Sequence, residues 1–453
     1  MKVLFARQAL LPEGWTEDVA VEIGADGRIA DVTPGATPSG QALDILLPAP
    51  ANLHSHAFQR AMAGLTEARG PDPRDSFWTW RTLMFRFLDH LTPEDVQAIA
   101  AFVQMQMLEA GYACNVEFHY MHHQPGGQPY PNLAEMAERI VAATEESGIG
   151  LTLLPVLYQF GGCDGRVLGP GQVRFGNDPN QFARLMEGSS AALARLPADT
   201  RLGVAPHSLR AVAPESLTDT LALTDGPVHM HLAEQLAEVE EVEAMLGARP
   251  VRWLLENASV DRRWCLIHCT QMEPDETAAL AATGAVAGLC PITEASLGDG
   301  IFDGKRWLRA GGAFGVGSDS NIRISLTEEL RLLEYTQRLR DRARAVLATT
   351  DRSTGRVLFE GAASGGAQAA GRESGAIASG LWADLLALDG NAVDLAGRKG
   401  DRLLDAFIFA GDDRLVCDVW SAGRHMVREG RHIAHETITR NYLGTLERLG
   451  DVL

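Results

Sequence analysis

Between about residue 48 and residue 375, short apolar runs alternate with amphipathic stretches, and this alternation restricts the fold more than any other feature of the chain. The runs include ACNVEFHY, GLTLLPVL, RLGVAPH, PVHMHLAE, CLIHCT, AVAGLCP and AFGVGSD. Between them lie helical stretches such as TPEDVQAIAAFVQMQMLEAG, which Thr92 opens with Asp95 three residues later as a cap. Strands covered on both faces read as unbroken apolar runs, because neither side meets water. Repetition of β then α over most of the chain predicts an α/β fold, a parallel (β/α)8 TIM-like barrel.

The ends read differently. Residues 1–47 hold short strands, MKVLFA and DVAVEIGADGRIADV, with GADG where a hairpin turn would fall. Residues 376–453 have the same texture, with ADLLALD, then RLVCDVWSAGRHMVREGRHI and a turn near Glu429-Gly430. Each piece is small to fold alone, so the two are expected to pair as one β-sandwich domain beside a barrel spanning 48–375. A Gly/Pro-rich stretch at 161–171 reads as a loop over the barrel mouth. The chain shows no internal repeat and no low-complexity tract.

Chemistry gathers at the ends of the candidate strands. In ILLPAPANLHSHAFQR, His54 and His56 are two apart, so on a strand both imidazoles point to one face and can share a metal. A loop carrying two polar residues is the plainer alternative, but the pair follows directly on an apolar strand. In PVHMHLAEQ, His229 and His231 share a face, and Glu234 follows just beyond, placed to move protons without binding the metal. Alone, Glu234 would read as a first-turn acid favoured by the dipole of LAEQLAEVEEVEAML. His268 ends CLIHCT and Asp319 follows AFGVGS; a structural histidine and a capping aspartate would each be commoner. Order changes the balance: His-x-His, His, His and Asp each terminate a strand in one β/α region, and such strand ends converge on the active site of a barrel.

Charge narrows the partners. A formal net charge of −19 would repel nucleic acid or an anionic membrane, which leaves a small molecule as the expected partner. The start of the chain is a poor signal peptide and no apolar run reaches the ~18 residues of a membrane span. The six cysteines, 114, 163, 265, 269, 290 and 417, show no CxxC pair and read as reduced thiols, so the cytoplasm is the expected compartment.

With these residues in place, the chain resembles the amidohydrolase superfamily. The His231–Glu234 spacing is similar to the superfamily's deaminase branch, and within it to the formimidoylglutamate deiminase family, the iminohydrolases of histidine degradation. NLHSHAFQR, the WTWR stretch, HMHLAEQ, CPITEASLGDG and GVGSDSN carry the likeness over essentially the whole chain. PAPANLH departs from it, since many relatives have Pro-Gly before the His-x-His; the change concerns a turn. Binuclear members bridge two metals with a carboxylated lysine from the fourth strand, but this chain has lysine only at 2, 305 and 399. One zinc per subunit is therefore expected, on His54, His56, His231 and Asp319 with room for a water; the ligand types also admit iron or manganese. The His-x-Glu with Pro-Cys-x-x-Cys pattern of the other zinc deaminases is absent, because Cys290-Pro291 has the reverse order.

The resemblance implies hydrolysis of N-formimino-L-glutamate to N-formyl-L-glutamate and ammonia. Glu234, His268 and Asp319 would be the catalytic residues. Arg81 and Arg210 are the arginines chosen for the two substrate carboxylates, which guanidinium groups pair in a bidentate fork. Gln59, Tyr120 and His207 complete the implied pocket, and a homodimer is the common assembly. His122-His123 looks like a second metal motif but reads better as a plain loop. Two alternatives stay open at this point: a related deaminase acting on a purine, pterin or adenosyl compound, which would want aromatic stacking, and a barrel kept only for binding or assembly.

Overall fold

The structure, a computed structural model, describes residues 2–67 and 77–450; in the WTWR stretch the side chains of Trp80 and Arg81 are described, and those of Trp78 and Thr79 lie outside the described residues. The alternating region closes as a barrel of eight parallel strands. In chain order these are Ala51–Ser55, Cys114–His119, Gly150–Leu157, a fourth in two pieces, Val228–Leu232, Trp264–His268, Val286–Leu289 and Ala313–Val316. Parallel ladders join one to the next. Isolated parallel bridges, Val204 to Val228 and Ser55 to Asp319, complete the ring. Nearly every strand residue is buried, as expected where helices cover one face and the barrel interior the other.

RLGVAPH, expected as one strand, is split into Arg201–Leu202 and Ala205–Pro206. The break has a steric cause. Gly203 donates to Leu153 O, Val204 donates to Pro227 O and accepts from His229, so the backbone changes partner strands within two residues. A Cβ at Gly203 would lie 2.5 Å from Pro227 O, which leaves no room for a side chain at the crossover.

A single eight-stranded sheet unites the two ends of the chain. Gln41–Pro48 pairs in parallel with Lys2–Leu11 on one side and antiparallel with Leu385–Leu388 on the other. It runs straight into the first barrel strand. The expected turn at Glu429-Gly430 joins Arg424–Arg428 to Arg431–His432. Buried ion pairs fasten this sheet to the barrel: Arg372 donates to Asp199 at 2.8 Å and to Asp384 at 2.6 and 2.9 Å, and Arg424 donates to both oxygens of Asp199. Breaking one partner of such a cluster strands a buried charge, at a cost of about 3–5 kcal/mol.

The C-terminal piece is not all strand, in contrast to its expected texture. It contains the helices Asp401–Phe409 and His435–Gly450. The second buries Ile438, Tyr442, Thr445 and Leu449, spaced four, three and four apart as on one helix face, and stacks Tyr442 on Phe102 at 3.9 Å. The helix Pro93–Glu109 against which it packs begins with the anticipated capping box, Thr92 and Asp95 each bonding the other's backbone. Among the described residues, no helix is long and apolar enough to cross a membrane, and all six cysteines are free thiols.

The helix Thr354–Ala369 lies directly on the strands where the ring closes. Its Gly365 sits so close that a Cβ would meet Phe314 O at 1.8 Å, and one at Gly366 would meet Ala51 O at 3.0 Å. Gly365→Ala is expected to destabilise the protein by about 1–3 kcal/mol through overpacking. Gly444→Ala, at an exposed position of the helix His435–Gly450 with open space around it, is expected to stabilise it by roughly 0.5–1 kcal/mol. Urea midpoints of the two variants shifting in the same direction would refute this packing.

Candidate metal and catalytic site

The strand ends converge at one mouth of the barrel. His54, His56, His231 and Asp319 form a buried group whose ligand atoms all lie within 4.8 Å of one another. The separations are specific: His54 Nε2 is 3.1 Å from His231 Nε2 and 3.4 Å from Asp319 Oδ1, and His56 Nε2 is 3.3 Å from the same Oδ1. Donors held tetrahedrally around one ion at zinc-like bond lengths stand roughly 3.3 Å apart. The residues therefore fit a divalent metal ion.

Protonation agrees with the geometry. His56 Nδ1 lies 3.1 Å from Phe118 O and His231 Nδ1 3.2 Å from His207 O. A ring that donates from Nδ1 to a carbonyl presents the lone pair of Nε2, the arrangement usual for metal-bound imidazole. Burial, more than any neighbour, keeps His54 and His231 neutral: it pushes His54 down to about 3 and His231 well below the usual imidazole value. Burial alone would raise Asp319, yet bonds to His54 and His56 and the nearby His268 hold it well below the usual carboxylate range. Neutral imidazoles and an ionised carboxylate are the forms that bind metal.

Beside the ligands stands a chain of proton carriers. His268 Nε2 is 3.8 Å from Asp319 Oδ2 and 3.7 Å from Glu234 Oε1, while its Nδ1 is 3.3 Å from Glu294 Oε1. Burial would keep His268 neutral, but Glu234, Glu294 and Asp319 together outweigh it and raise its pKa well above the usual value. Burial raises Glu234, against the pull of His268 and of Arg210, whose Nη2 lies 3.9 Å from Glu234 Oε2. Glu234 precedes the helix Leu236–Leu246 rather than lying in its first turn. Its backbone is pinned at both ends, its N–H by Glu238 Oε2 at 2.9 Å and its carbonyl by Thr270 Oγ1 at 2.7 Å. Ala233, His268, Cys269 and Asp319 all have positive φ, between 45° and 72°. Non-glycine residues held there are strained, and such strain collects at active sites.

A cleft of about 550 Å³, counting the space open to solvent, lies in front of this cluster, lined by Gln59, Arg81, Tyr120, His207, Arg210 and Glu234 among others. The structure thus brings together the expected metal donors, Glu234, His268 and the five expected pocket residues, but not His229. Gln59 Nε2 donates to the Tyr120 hydroxyl at 2.9 Å, and the Tyr120 ring stands edge-on to His56 at 4.8 Å. Arg81, on the helix Phe77–Leu88, donates to the Tyr158 hydroxyl at 2.7 Å. His207 is held neutral by burial first and by Arg210 and Arg81 next. His122 and His123 are spent on backbone carbonyls, Val156 O at 3.0 Å and Gly176 O at 2.8 Å, as a plain loop requires. His229, on the same strand as His231, bonds Ala369 O instead. Cys163 N and Arg166, in the 161–171 loop, both bond Glu241 on the helix that follows Glu234.

Several functional neighbours escape the sequence reading. Glu294 lies within CPITEASLGDG, yet nothing in that motif says its carboxylate reaches His268 across 26 residues. Tyr158 immediately follows GLTLLPVL, the strand-end position that marks the histidines, and that placement was its available signal. Trp80, Met84, Phe85 and Phe175 supply the apolar wall of the cleft.

Comparisons with known proteins agree with this geometry. The family model described as Amidohydrolase family matches residues 45–426, and that described as Formimidoylglutamate deiminase HutF, N-terminal domain, matches residues 1–42. A formimidoylglutamate deiminase of Pseudomonas aeruginosa is 49% identical over 456 residues, covering 100% of both chains. A 5-methylthioadenosine/S-adenosylhomocysteine deaminase of Natronomonas pharaonis is 26% identical, covering 78% of this chain and 74% of its own. Among solved structures, an amidohydrolase from Brucella melitensis superposes with a TM-score of 0.95 at 48% identity, covering 99% of this chain and 100% of its own. An adenosine deaminase from Xanthomonas campestris with bound Zn has a TM-score of 0.83 at 21% identity over 99% and 98%, a likeness of fold alone. The barrel, the donor group and the family match over most of the chain lead to one conclusion: the chain belongs to the amidohydrolase family.

Proposed function

We propose that this chain hydrolyses N-formimino-L-glutamate to N-formyl-L-glutamate and ammonia in histidine degradation, as a cytoplasmic homodimer with one zinc ion per subunit. The observation that carries this reading is the presence of two guanidinium groups, Arg81 and Arg210, in the same small cleft as the metal-donor group and Glu234. A substrate with two carboxylates and an amidine suits that combination, and the 49% identical relative bears the corresponding name.

A zinc ion on His54, His56, His231 and Asp319 would supply Lewis acidity and bring a water's pKa from ~16 toward ~7. Asp319, facing His268 across 3.8 Å, accepts the proton of the attacking water, and the protonated His268 ring helps to hold that water. Attack at the formimino carbon makes a tetrahedral centre beside His268, whose N–H stabilises the developing charge. Glu234, whose pKa burial raises, protonates the imine nitrogen, recovers a proton from the hydroxyl of the tetrahedral centre and passes it to the departing amine, and the proton held by Asp319 then resets Glu234. The C–N bond breaks, the carbonyl forms and ammonia leaves. Arg210, beside Glu234, grips the carboxylate nearer the reacting carbon, and Arg81 the farther one. Gln59, Tyr120 and His207 shape the wall between them.

Ammonia release from N-formimino-L-glutamate, run beside 5′-methylthioadenosine and a pterin, tests the reading directly. Release from an adenosyl or pterin compound, with none from the formimino compound, would overturn it. Metal analysis of purified active protein is expected to give about one zinc per chain; two stoichiometric metals per subunit would refute the mononuclear assignment. Glu234→Gln is expected to keep its metal and lose activity by the ~10²- to 10⁴-fold typical of a missing general acid-base. Loss of metal along with activity would mean that Glu234 is a ligand. Arg210→Met is expected to lower kcat/KM for N-formimino-L-glutamate by about 10- to 150-fold, the equivalent of a charge-assisted bond worth roughly 1.5–3 kcal/mol. A neutral formamidine should be poor with both proteins and nearly equally so; an equal wild-type-to-variant ratio for the two compounds would show that Arg210 reads no carboxylate.

A further inference from the structure

Tyr158 sits at the end of the third barrel strand, 2% exposed, and lines the cleft. Its hydroxyl oxygen is shared by two donors: Arg81 Nη2 at 2.7 Å and Gln172 Nε2 at 2.9 Å. The orientation of the Gln172 amide is set independently, because its Oε1 accepts from Gly169 N at 2.9 Å, which leaves the NH₂ for Tyr158. Neither partner can accept a proton at these contacts. A phenol has two lone pairs and one hydrogen to donate. Both lone pairs are taken, so the hydrogen must point away from Arg81 and Gln172, and among the described residues it meets no acceptor.

The surroundings say what kind of acceptor it awaits. Arg81 is bonded to the phenol, and Arg210 lies close enough to interact electrostatically with it. The ring packs on His207 at 4.5 Å, and His207 on the donor His231 at 4.9 Å, so Tyr158 stands two ring contacts from the metal-donor group. A donor hydrogen beside guanidinium groups, in the cleft and separated from the metal-donor group by the His207 ring, suits an anion that the substrate carries away from its scissile bond. We propose that Tyr158 donates its phenolic proton to the substrate carboxylate farther from the reacting carbon, so that Arg81 and Tyr158 form one subsite. This rests on the formimino-dicarboxylate reading above. Gln172 then acts as a positioning residue just beyond the 161–171 loop, which it ties to the subsite through Gly169 by occupying the phenol's second lone pair.

The test compares wild type with Tyr158→Phe, which keeps the ring, as metal-loaded full-length enzymes. With N-formimino-L-glutamate, kcat/KM is expected to fall about 10-fold or more, the size of one lost bond to a charged group, and the loss should lie mainly in KM. With N-formimino-L-2-aminobutyrate, which lacks the farther carboxylate, the change should stay within about two-fold, since no bond to an anion is lost. In an Arg81→Met background, Tyr158→Phe should still cost about three-fold or more, because the donor contacts the substrate itself. An equal loss on both substrates, no loss, or no further loss in the Arg81→Met background overturns the proposal, the last by showing that the phenol acts only through Arg81. Calorimetric binding of glutarate separates the two layers of inference. If wild type binds glutarate and Tyr158→Phe binds it equally well, the subsite is wrong. If wild type releases no ammonia from N-formimino-L-glutamate, the functional reading is wrong, while the glutarate difference still measures the subsite.

Discussion

The site depends on one backbone contact, the pair of hydrogen bonds by which the last barrel strand meets the first. Asp319 N donates to His54 O at 2.9 Å, and His56 N donates to Asp319 O at 2.9 Å. The same two bonds close the ring and set three of the four metal donors relative to one another. A polar network braces them: Asn52 Nδ2 donates to Ser318 Oγ at 2.8 Å, Ser318 Oγ to Asn321 Oδ1 at 2.6 Å, and Asn321 Nδ2 to Ser55 Oγ and His56 O at 3.1 Å. These side chains are fully buried, so each unmade bond would be expensive, and the network admits essentially one arrangement. Gly317 completes it by leaving room for His54, whose backbone N would lie 2.6 Å from any added Cβ. The GVGSDSN motif is therefore a closure device as well as a source of one ligand.

That dual role explains what could be read from the sequence. His54 and His56 stood out because a strand has a period of two and a metal needs convergent lone pairs, both of them local properties. Their partners stood out because barrel strands deliver their ends to one mouth in chain order. The split in RLGVAPH and the reach of Glu294 to His268 were not legible, because each depends on how close two segments come once the ring has closed. Gly203 looks like any strand-breaking glycine until Pro227 O is seen 2.5 Å from its missing Cβ. The helix His435–Gly450 is a different kind of miss. Its apolar spacing was present in HETITRNYLGTLERLG, but the β-rich text before it suggested continued strand.

Electrostatics ties the site together. Glu234, Glu294 and Asp319 crowd His268 in a space with little water, and Asp299, close enough to sense Glu234, is pushed up to about 9 by burial and then by that neighbour. So many carboxyl groups cannot all ionise there without compensating charge, since like charges in a low-dielectric interior repel strongly. Arg210 and His268 supply part of that compensation. The donor group supplies the rest only when a divalent cation sits on it, so metal binding and the protonation of this acidic wall are one equilibrium.

The same reasoning removes an apparent contradiction in the proposed substrate. A chain with a formal net charge of −19 would seem unsuited to a dianion. Net charge, however, acts through water, where charges beyond roughly 8–10 Å are screened at ordinary ionic strength. Inside the cleft the local balance differs: Arg81 and Arg210 line it, and Glu234, 3.9 Å from Arg210, is raised toward its neutral form by burial. Apolar walls from Met84, Phe85 and Phe175 lower the local dielectric and lengthen the reach of those two cations. Recognition of that proposed substrate would rest on a few buried groups that the barrel holds in register, while net charge acts on the solvated exterior.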